Sequence, residues 1–530
     1  MQKQIGLSLL SLLLFTGCNS APIVQSVTAP VLQSAPSSLT APTPIRASQT
    51  TQLNRANTPA STLNPTTSLN RAPQKAALRQ DSGATTAAPS TAAPSTAAQV
   101  AGKTAPLQQN AAPVTAPQVN IASNYSTQTL VVGLRSDADL PQAKALAAEL
   151  KLDVERYIKG IHSLVLKTRG QEVKGLVEVL SKESLFAFVE TDHVASQKPE
   201  DEKEINEGFK LFSTALVNDK YFKDQYALEE MQVPEAWAHS KGKDMVIAVI
   251  DTGVSLSHAD LKNRVVPGYD ALSLREGGTT GDVSSLNYVF STYKHGSHVA
   301  GIIAAEANNG QGIAGVAPEA KIMPIKIYPD VADIISSILA PDPDANQTII
   351  SVLADGVVWA ADHGAHVINM SLSVSEQSAT LERAVKYALD KNVSVVVAAG
   401  NDRQNGNARN HLAAIPGVIG VGATDLNNNV ALFSNSGDYV SIAAPGQDII
   451  STVPSFLKFR PYVQMSGTSM AAPQVAGLAA LLRSKFGTTA TPAWIKQRLE
   501  STATDRGAAG RDDLYGHGLV NALKALTAPL

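Results

Sequence analysis

Met245–Ile250 reads MVIAVI, an apolar run with no polar interruption, and Asp251 follows it at once. A strand with one wet face alternates in polarity, whereas a continuous apolar run rich in β-branched residues belongs to a strand covered on both faces. The same texture returns in KIMPIKI (Lys321–Ile327), HVINMSL (His366–Leu372), VSVVVAA (Val393–Ala399) and VIGVGA (Val418–Ala423). Helical patterns such as GVVWAADHG (Gly356–Gly364) and LERAVKYALDK (Leu381–Lys391) lie between them. Together they predict an α/β domain, a mostly parallel central sheet between two layers of helices. In such sheets functional groups gather at the carboxyl ends of the strands. Asp251 follows MVIAVI, Asn401 follows VSVVVAAG, and His295 opens the helical stretch GSHVAGIIAAEA after a loop.

QMSGTSMAAP (Gln464–Pro473) offers three hydroxyls, Ser466, Thr468 and Ser469, around a glycine turn. Ser469 starts the apolar helix SMAAPQVAGLAALLRSKF, with Pro473 expected in its first turn, and a helix N-terminus favours developing negative charge. Ser466 lies before the turn and Thr468 is a more hindered alcohol, so Ser469 is the candidate nucleophile. A serine hydroxyl needs a base within hydrogen-bond reach and a third group orienting that base. His295, Asp251 and a donor at Asn401 would complete the set.

DTGV (Asp251–Val254), HGSHVAG (His295–Gly301), AAGN (Ala398–Asn401) and SGTSMAAP (Ser466–Pro473) resemble, in this order, the signature motifs of the subtilisin-like serine proteases. The resemblance covers about Asp219 to Ala525. It implies a subtilisin-like three-layer αβα fold and a serine endopeptidase acting through an acyl-enzyme. Asp251 would be the orienting acid, His295 the general base and acid, Ser469 the nucleophile and Asn401 the oxyanion donor. Substrate would lie along Ser371, Leu372 and Ser373 and along Ala398, Ala399 and Gly400. Ser297, Ser373 and Gln474 depart from the residues usual in the family, and Ser373 puts the depth of the S1 pocket in question. The family also implies calcium in its thermitase-like branch. VNDKYF (Val217–Phe222) and the loop EANNGQGI (Glu306–Ile313) carry that likeness. Asp219, Asp260 and the Asn309 side chain would supply oxygens, with the carbonyls of Glu306, Gln311 and Ile313, a hard-oxygen set suited to Ca²⁺.

Other readings explain less. GTSMA nearly matches a nucleophile elbow, with Asp505, Asp512 or Asp513 and His517 as partners, but Ala471 replaces the last glycine and too little chain follows. His295 and His298 spell H-x-x-H without a zinc-site glutamate, which makes His298 a packed histidine. His363 and His366 flank a helix-to-strand turn and are expected to be solvated. A non-catalytic envelope-binding lipoprotein would leave the triad without purpose.

The rest of the 530 residues is of other material. Residues 1–18 read as an export signal, with Lys3, the apolar run Ile5–Phe15 and then Thr16-Gly17-Cys18. That ending resembles a lipobox, and the alternatives are a lipid anchor at Cys18 or a plain secretory signal. Either places the protein outside the cell or at its envelope. Cys18 is the only cysteine, so no disulfide can form within the chain. Residues 19–120, rich in Ala, Pro, Ser and Thr and without an aromatic, read as a disordered tether. Residues 127–194 show the β-α-β-β-α-β pattern of a ferredoxin-like unit. With the family resemblance it becomes an inhibitory propeptide, or else a permanent accessory domain. Residues 195–216 read as a polar processing linker and 217–530 as the peptidase domain. Pro329–Gln347 looks like an insertion, acidic through Asp330, Asp333, Asp342 and Asp344, either reshaping the S4 side of the cleft for basic substrates or forming a plain surface loop. With 43 basic and 46 acidic residues the chain gives no electrostatic reason to expect nucleic acid. Its expected partners are polypeptide substrates and its own propeptide, and a monomer is expected.

Overall fold

The computed structural model describes residues 115–197, 201–203, 205, 217–277, 294–329, 348–454 and 460–529, all within one compact unit, Ala105–Leu530. The export signal with Cys18, the tether up to residue 114, most of the processing linker and the acidic residues of the insertion lie outside the described residues.

The N-terminal module holds strands Gln118–Asn120 (β1), Tyr125–Leu134 (β2), Asp153–Ile158 (β3), Ser163–Lys167 (β4) and Phe186–Ala195 (β5), with helices Leu140–Glu149 (α1) and Val173–Leu180 (α2). Their order in the sheet, β1-β5-β2-β4-β3, contains the expected ferredoxin-like arrangement. The tether expected to run to residue 120 stops short of that, because Gln118–Asn120 pairs in parallel with Phe188–Glu190. Alternation along β4 decides which face meets what. Leu164 and Leu166 join the module's own core with Val177 and Leu180 of α2, while Val165 points to the opposite face. There it packs with Ile158 and Ile161 in the core of the large domain. At the tightest point a Cβ on Gly160 would stand 2.9 Å from the side chains of Tyr387 and Val358, so only glycine allows this approach.

The chain continues through Asp201–Lys203 (β6) to the large sheet. Its strands are Val246–Asp251 (β7), Gly268–Asp270 (β8), Arg275–Gly277 (β9), Lys321–Lys326 (β10), then, after Thr348–Ile349 (β11), Val367–Met370 (β12), Ser394–Ala398 (β13), Ile419–Thr424 (β14) and Ile442–Pro445 (β15). The order is β15-β14-β13-β12-β7-β10-β8-β9, parallel throughout except for β9. Helices His295–Ala304 (α3), Ile350–Asp362 (α4), Ala379–Asp390 (α5) and Thr468–Phe486 (α6) cover it. Ile247 and Val249 face the core shared with α3 and α6, and Ala248 and Ile250 face the one shared with α4 and α5. Both sides of β7 are thus dry, which is why MVIAVI does not alternate. Strand order reverses at β7, between β10 on one side and β12 on the other, and a crevice at such a reversal is where α/β sheets place their sites. A last antiparallel layer joins Ile449–Thr452 (β16), Tyr462–Ser466 (β17) and β6.

Candidate active site

Asp251 is the last residue of β7, Ser371 follows β12, and Asn401 follows β13 by the turn Ala399-Gly400, so parallel neighbours deliver all three to one edge. His295 arrives as the first residue of α3. Its Nδ1 stands 2.9 Å from each carboxylate oxygen of Asp251. Both side chains are buried, at 3% and 1% exposure, which forces the carboxylate to be paired. Asp251 Oδ1 also accepts the Thr252 amide at 2.7 Å, and Thr252 Oγ1 accepts that of Gly296 at 3.0 Å. A Cβ on Gly296 would lie 2.3 Å from the Gly253 carbonyl, so the HG pair lets α3 close onto the DTG turn. With Nδ1–H donating to Asp251, the basic lone pair is at Nε2.

Ser469 lies in the first turn of α6, nearly buried, and its Oγ donates to the Ser371 carbonyl at 3.4 Å. The other two hydroxyls of QMSGTSMAAP are committed elsewhere. Ser466 Oγ donates to Asp448 Oδ1 at 3.2 Å and accepts the Asp448 amide at 2.9 Å. Thr468 Oγ1 donates to Asn401 Oδ1 and its amide does so too, each at 2.9 Å. That holds the acceptor end of Asn401 against α6 and leaves its NH₂ as the donor end of the fixed amide. Pro473 is not in the first turn as expected but inside the helix, one turn further on.

Ser371–Ser373 and Ala398–Gly400 continue from the paired parallel strands β12 and β13. Asn410, which the sequence reading passed over, ties them, donating to the carbonyls of Leu372 at 3.0 Å and Ala398 at 2.8 Å. It sits in a loop without a motif, and only the fold brings it to the cleft. Gly400 has φ +111°, and a Cβ there would meet Asn435 Nδ2 at 2.4 Å and Ser373 Oγ at 3.4 Å. Ser297 and Gln474 fit where the family has other residues. Ser297 Oγ accepts the Ser255 amide, and Gln474 donates to the Pro445 carbonyl. His298 is fully buried, with Nε2 3.2 Å from the Val463 carbonyl, and burial pushes it down to about 3. His366 departs from the expectation of a solvated pair, being half-buried and accepting the Val246 amide at Nδ1, whereas His363 is exposed and stacks on Trp359. Asp512, offered above to a hydrolase elbow, instead accepts the amides of Ala508, Leu514 and Tyr515 in a local turn.

The end of β5 enters this cleft. Val194 and Ala195 pair antiparallel with Ile349 and Thr348, and Ser196 exchanges backbone hydrogen bonds of 3.0 Å with Ser373 in both directions. Gln197 Nε2 contacts His295 Nδ1 and lies 3.4 Å from Asp251 Oδ1. Further on, Asp201–Lys203 pairs with Gln464–Ser466. Two buried carboxylates of β5 reach helix N-termini beside the cleft. Glu190 accepts from Ser378 Oγ and the amides of Ala379 and Thr380 at the start of α5. Asp192 accepts from the amide and hydroxyl of Ser351 at the start of α4. Burial pushes the Asp192 carboxyl up to about 6 against these bonds.

Of the expected calcium ligands, Asp219 and Asp260 bond to the loop at Glu306–Ile313 that carries the others. Asp219 accepts the amides of Asn308, Asn309 and Gly310 at 2.8–3.1 Å. Asp260 accepts from Asn309 Nδ2 at 2.8 Å and from the Ile313 amide and Tyr462 hydroxyl, each at 3.0 Å. Asn309 Oδ1 takes the Gln311 amide, the Gln311 carbonyl takes that of Lys220, and the Glu306 amide bonds the Asp260 carbonyl. Burial and the nearby charge of Asp260 hold the Asp219 carboxyl above the ordinary range. Among the described residues no three His, Cys, Asp or Glu side chains form a metal cluster. A calcium set would not need three, since amide and carbonyl oxygens would complete it; Asn309 turns Nδ2 to Asp260 and Oδ1 to the Gln311 amide, so the two buried carboxylates Asp219 and Asp260 are the part of the set that suits a hard dication.

The Subtilase family model matches residues 242–518, more than half of the chain. The chain belongs to the subtilase family. Among curated relatives, the thermophilic serine proteinase of Bacillus sp. (strain AK1) is 40% identical to this subtilase over 321 residues, 60% of this chain and 71% of its own. Thermitase of Thermoactinomyces vulgaris is 38% identical over 310 residues, 58% of this chain and 98% of its own. The crystal structure of fervidolysin from Fervidobacterium pennivorans, described as a keratinolytic enzyme related to subtilisin, matches with a TM-score of 0.69 at 30% identity. That likeness covers 78% of this chain, more than 217–530 alone can supply, and 64% of fervidolysin. The subtilase is a serine endopeptidase with a subtilisin-like α/β fold.

Proposed function

We propose that this subtilase is made as an exported, self-inhibited zymogen that cleaves peptide bonds through Asp251, His295 and Ser469. Ser469 Oγ attacks the scissile carbonyl while His295 Nε2 takes its proton and Asp251 holds the imidazolium. The oxyanion accepts hydrogen bonds from Asn401 Nδ2 and the Ser469 amide. Collapse expels the amine, which takes the proton from His295 and leaves the acyl-enzyme. Water, deprotonated by the same histidine, then releases the acid and restores Ser469.

The observation that carries this reading is the seating of Ser196 and Gln197, a stretch of the chain itself paired with Ser373 and laid against the Asp251–His295 pair. An extended chain gripped in antiparallel fashion by Ser373 and by Thr348–Ile349 is what a peptide substrate would be there, so residues 127–194 serve as the inhibitor, and the tail running on from them through Ser196 and Gln197 fills the cleft. The leader at 1–18 supports export, with Cys18 as a lipid anchor in one of its two readings. Asp219, Asp260, Asn309 and the carbonyls of Glu306, Gln311 and Ile313 would hold Ca²⁺, which would supply the positive charge that two buried carboxylates lack and clamp the N-terminal arm to the loop after α3. The test is Ser469→Ala in the full chain together with fluorophosphonate labelling of the wild type. Turnover and processing should both disappear in the variant, and the label should map to Ser469. Processing that continues in the Ser469→Ala chain would show that another protease performs it.

A further inference from the structure

Helix α6 begins with a defect. Pro473 lies inside it and has no N–H, so the Ser469 carbonyl, four residues earlier, has no helical partner. A buried carbonyl without a partner is costly, and Ser371 supplies one, its Oγ donating to the Ser469 carbonyl at 2.9 Å. Asn369 Nδ2 donates to the same Ser371 Oγ at 3.1 Å. Since a hydroxyl has one proton, this acceptance at Ser371 leaves that proton for Ser469. Contact also runs the other way, from Ser469 Oγ to the Ser371 carbonyl. Asn369 and Ser371 are both fully buried, so no water competes for these bonds.

An N–H at position 473 would tie the turn bearing Ser469 to the body of α6. A hydroxyl from the neighbouring strand ties it instead to Ser371–Leu372–Ser373, the segment that grips the extended chain at Ser196. We propose that the Ser371 hydroxyl, oriented by Asn369, is a positioning group for Ser469: it stands in for the N–H that Pro473 lacks and couples the nucleophile's turn to the substrate-binding strand. The proposal rests on Ser469 being the nucleophile.

The test compares wild type, Ser371→Ala, Ser371→Thr and the double variant Ser371→Ala/Pro473→Ala. Rates are taken per active site titrated with fluorophosphonate, so that incomplete folding or maturation does not enter them. Ser371→Ala should lower kcat about ten- to a hundredfold, the range for a misplaced reacting group, with KM held within about twofold. Ser371→Thr keeps the hydroxyl and should retain most of kcat. In the double variant the Pro473→Ala change brings back the helix N–H, satisfies the Ser469 carbonyl, and should recover part of the loss. A kcat for Ser371→Ala within about twofold of wild type, or a double variant no faster than Ser371→Ala, overturns the proposal. If Ser371→Ala does not fold, Ser371→Val set against Ser371→Thr makes the same comparison at constant shape, and equal rates overturn it. A wild type that takes no label at Ser469 overturns the nucleophile assignment itself, and the positioning role with it.

Discussion

Asn401 shows how one side chain acquires a direction. Its Oδ1 takes both the amide and the hydroxyl of Thr468, so the amide group cannot turn and its donor end is fixed before any substrate arrives. Preorganised donors of this kind stabilise charge that appears only in the transition state. Asn401→Ala should therefore lower kcat by about 10²–10³-fold with little change in KM, and a loss below about fivefold in steady-state assays would reject the role. His298 gives a pH dependence at the same scale. Burial depresses it to about 3 in the folded chain, while the unfolded chain titrates near 6.5, so the unfolded state binds the extra proton between these values. Stability is lost as pH falls through that window, up to roughly 5 kcal/mol from this fully buried group. Melting temperature should fall less steeply between pH 7 and pH 4.5 in His298→Gln than in wild type. His258, His366 and His411, also lowered mainly by burial, account for slope that remains.

At the scale of elements, helix N-termini recur as the places where the two modules meet and where Ser469 sits. Each presents unpaired amides and a positive dipole end. In α6 the Thr468 amide donates to Asn401, and in α4 and α5 such amides are taken by Asp192 and Glu190 of β5. Glu190 satisfies two amides and a hydroxyl at once, so Glu190→Ala removes a cap from a helix of the other module. Losing a cap costs on the order of 1 kcal/mol, about a fivefold weaker hold by the N-terminal module. The lag before activity appears in the full-length chain should shorten accordingly, and an unchanged lag would show that the contact does not govern release.

The whole molecule has no disulfide available within the chain, so its outer segments are held by packing and polar contacts. Arg498 secures the C-terminal end, donating to the carbonyls of Ala525, Ala528 and Pro529. Asp219 secures the start of the peptidase domain through three loop amides. If calcium joins Asp219 to Asp260, free calcium at about a hundred times its Kd should add about 2.7 kcal/mol, because it binds only the native state. Melting temperature of the mature enzyme should then rise with calcium and fall in EGTA, with the response lost in Asp260→Asn. A melting temperature indifferent to EGTA, in wild type and variant alike, would remove the site.

Continuous apolar runs were legible because a strand buried on both faces has no polar position to spare, and MVIAVI, VSVVVAA and their neighbours each became a strand of the large sheet. The same holds for Asp251, Asn401 and Ser469, since groups at strand ends and helix starts are placed by local geometry that a motif spells out. Asn410 and Asn369 were invisible, because each acts on backbone or side-chain groups that only tertiary packing brings near. Pro473 lies beyond the first turn because the helix starts at Thr468, one residue before the expected Ser469, and helix boundaries are not fixed by the apolar pattern alone. Glu190 and Asp192 lie in FVETDHV, which resembles the end of the family's propeptide without marking either as a helix cap, and Gln197 carries no motif. The sequence by itself determined the kind of sheet and the identity of the residues at its edge, since both follow from patterns within a few positions. Only the tertiary structure decided which hydroxyl answers the Ser469 carbonyl and that Ser196 and Gln197 are the residues lying in the cleft, because those contacts join residues far apart in sequence, whose approach depends on the packing of whole layers.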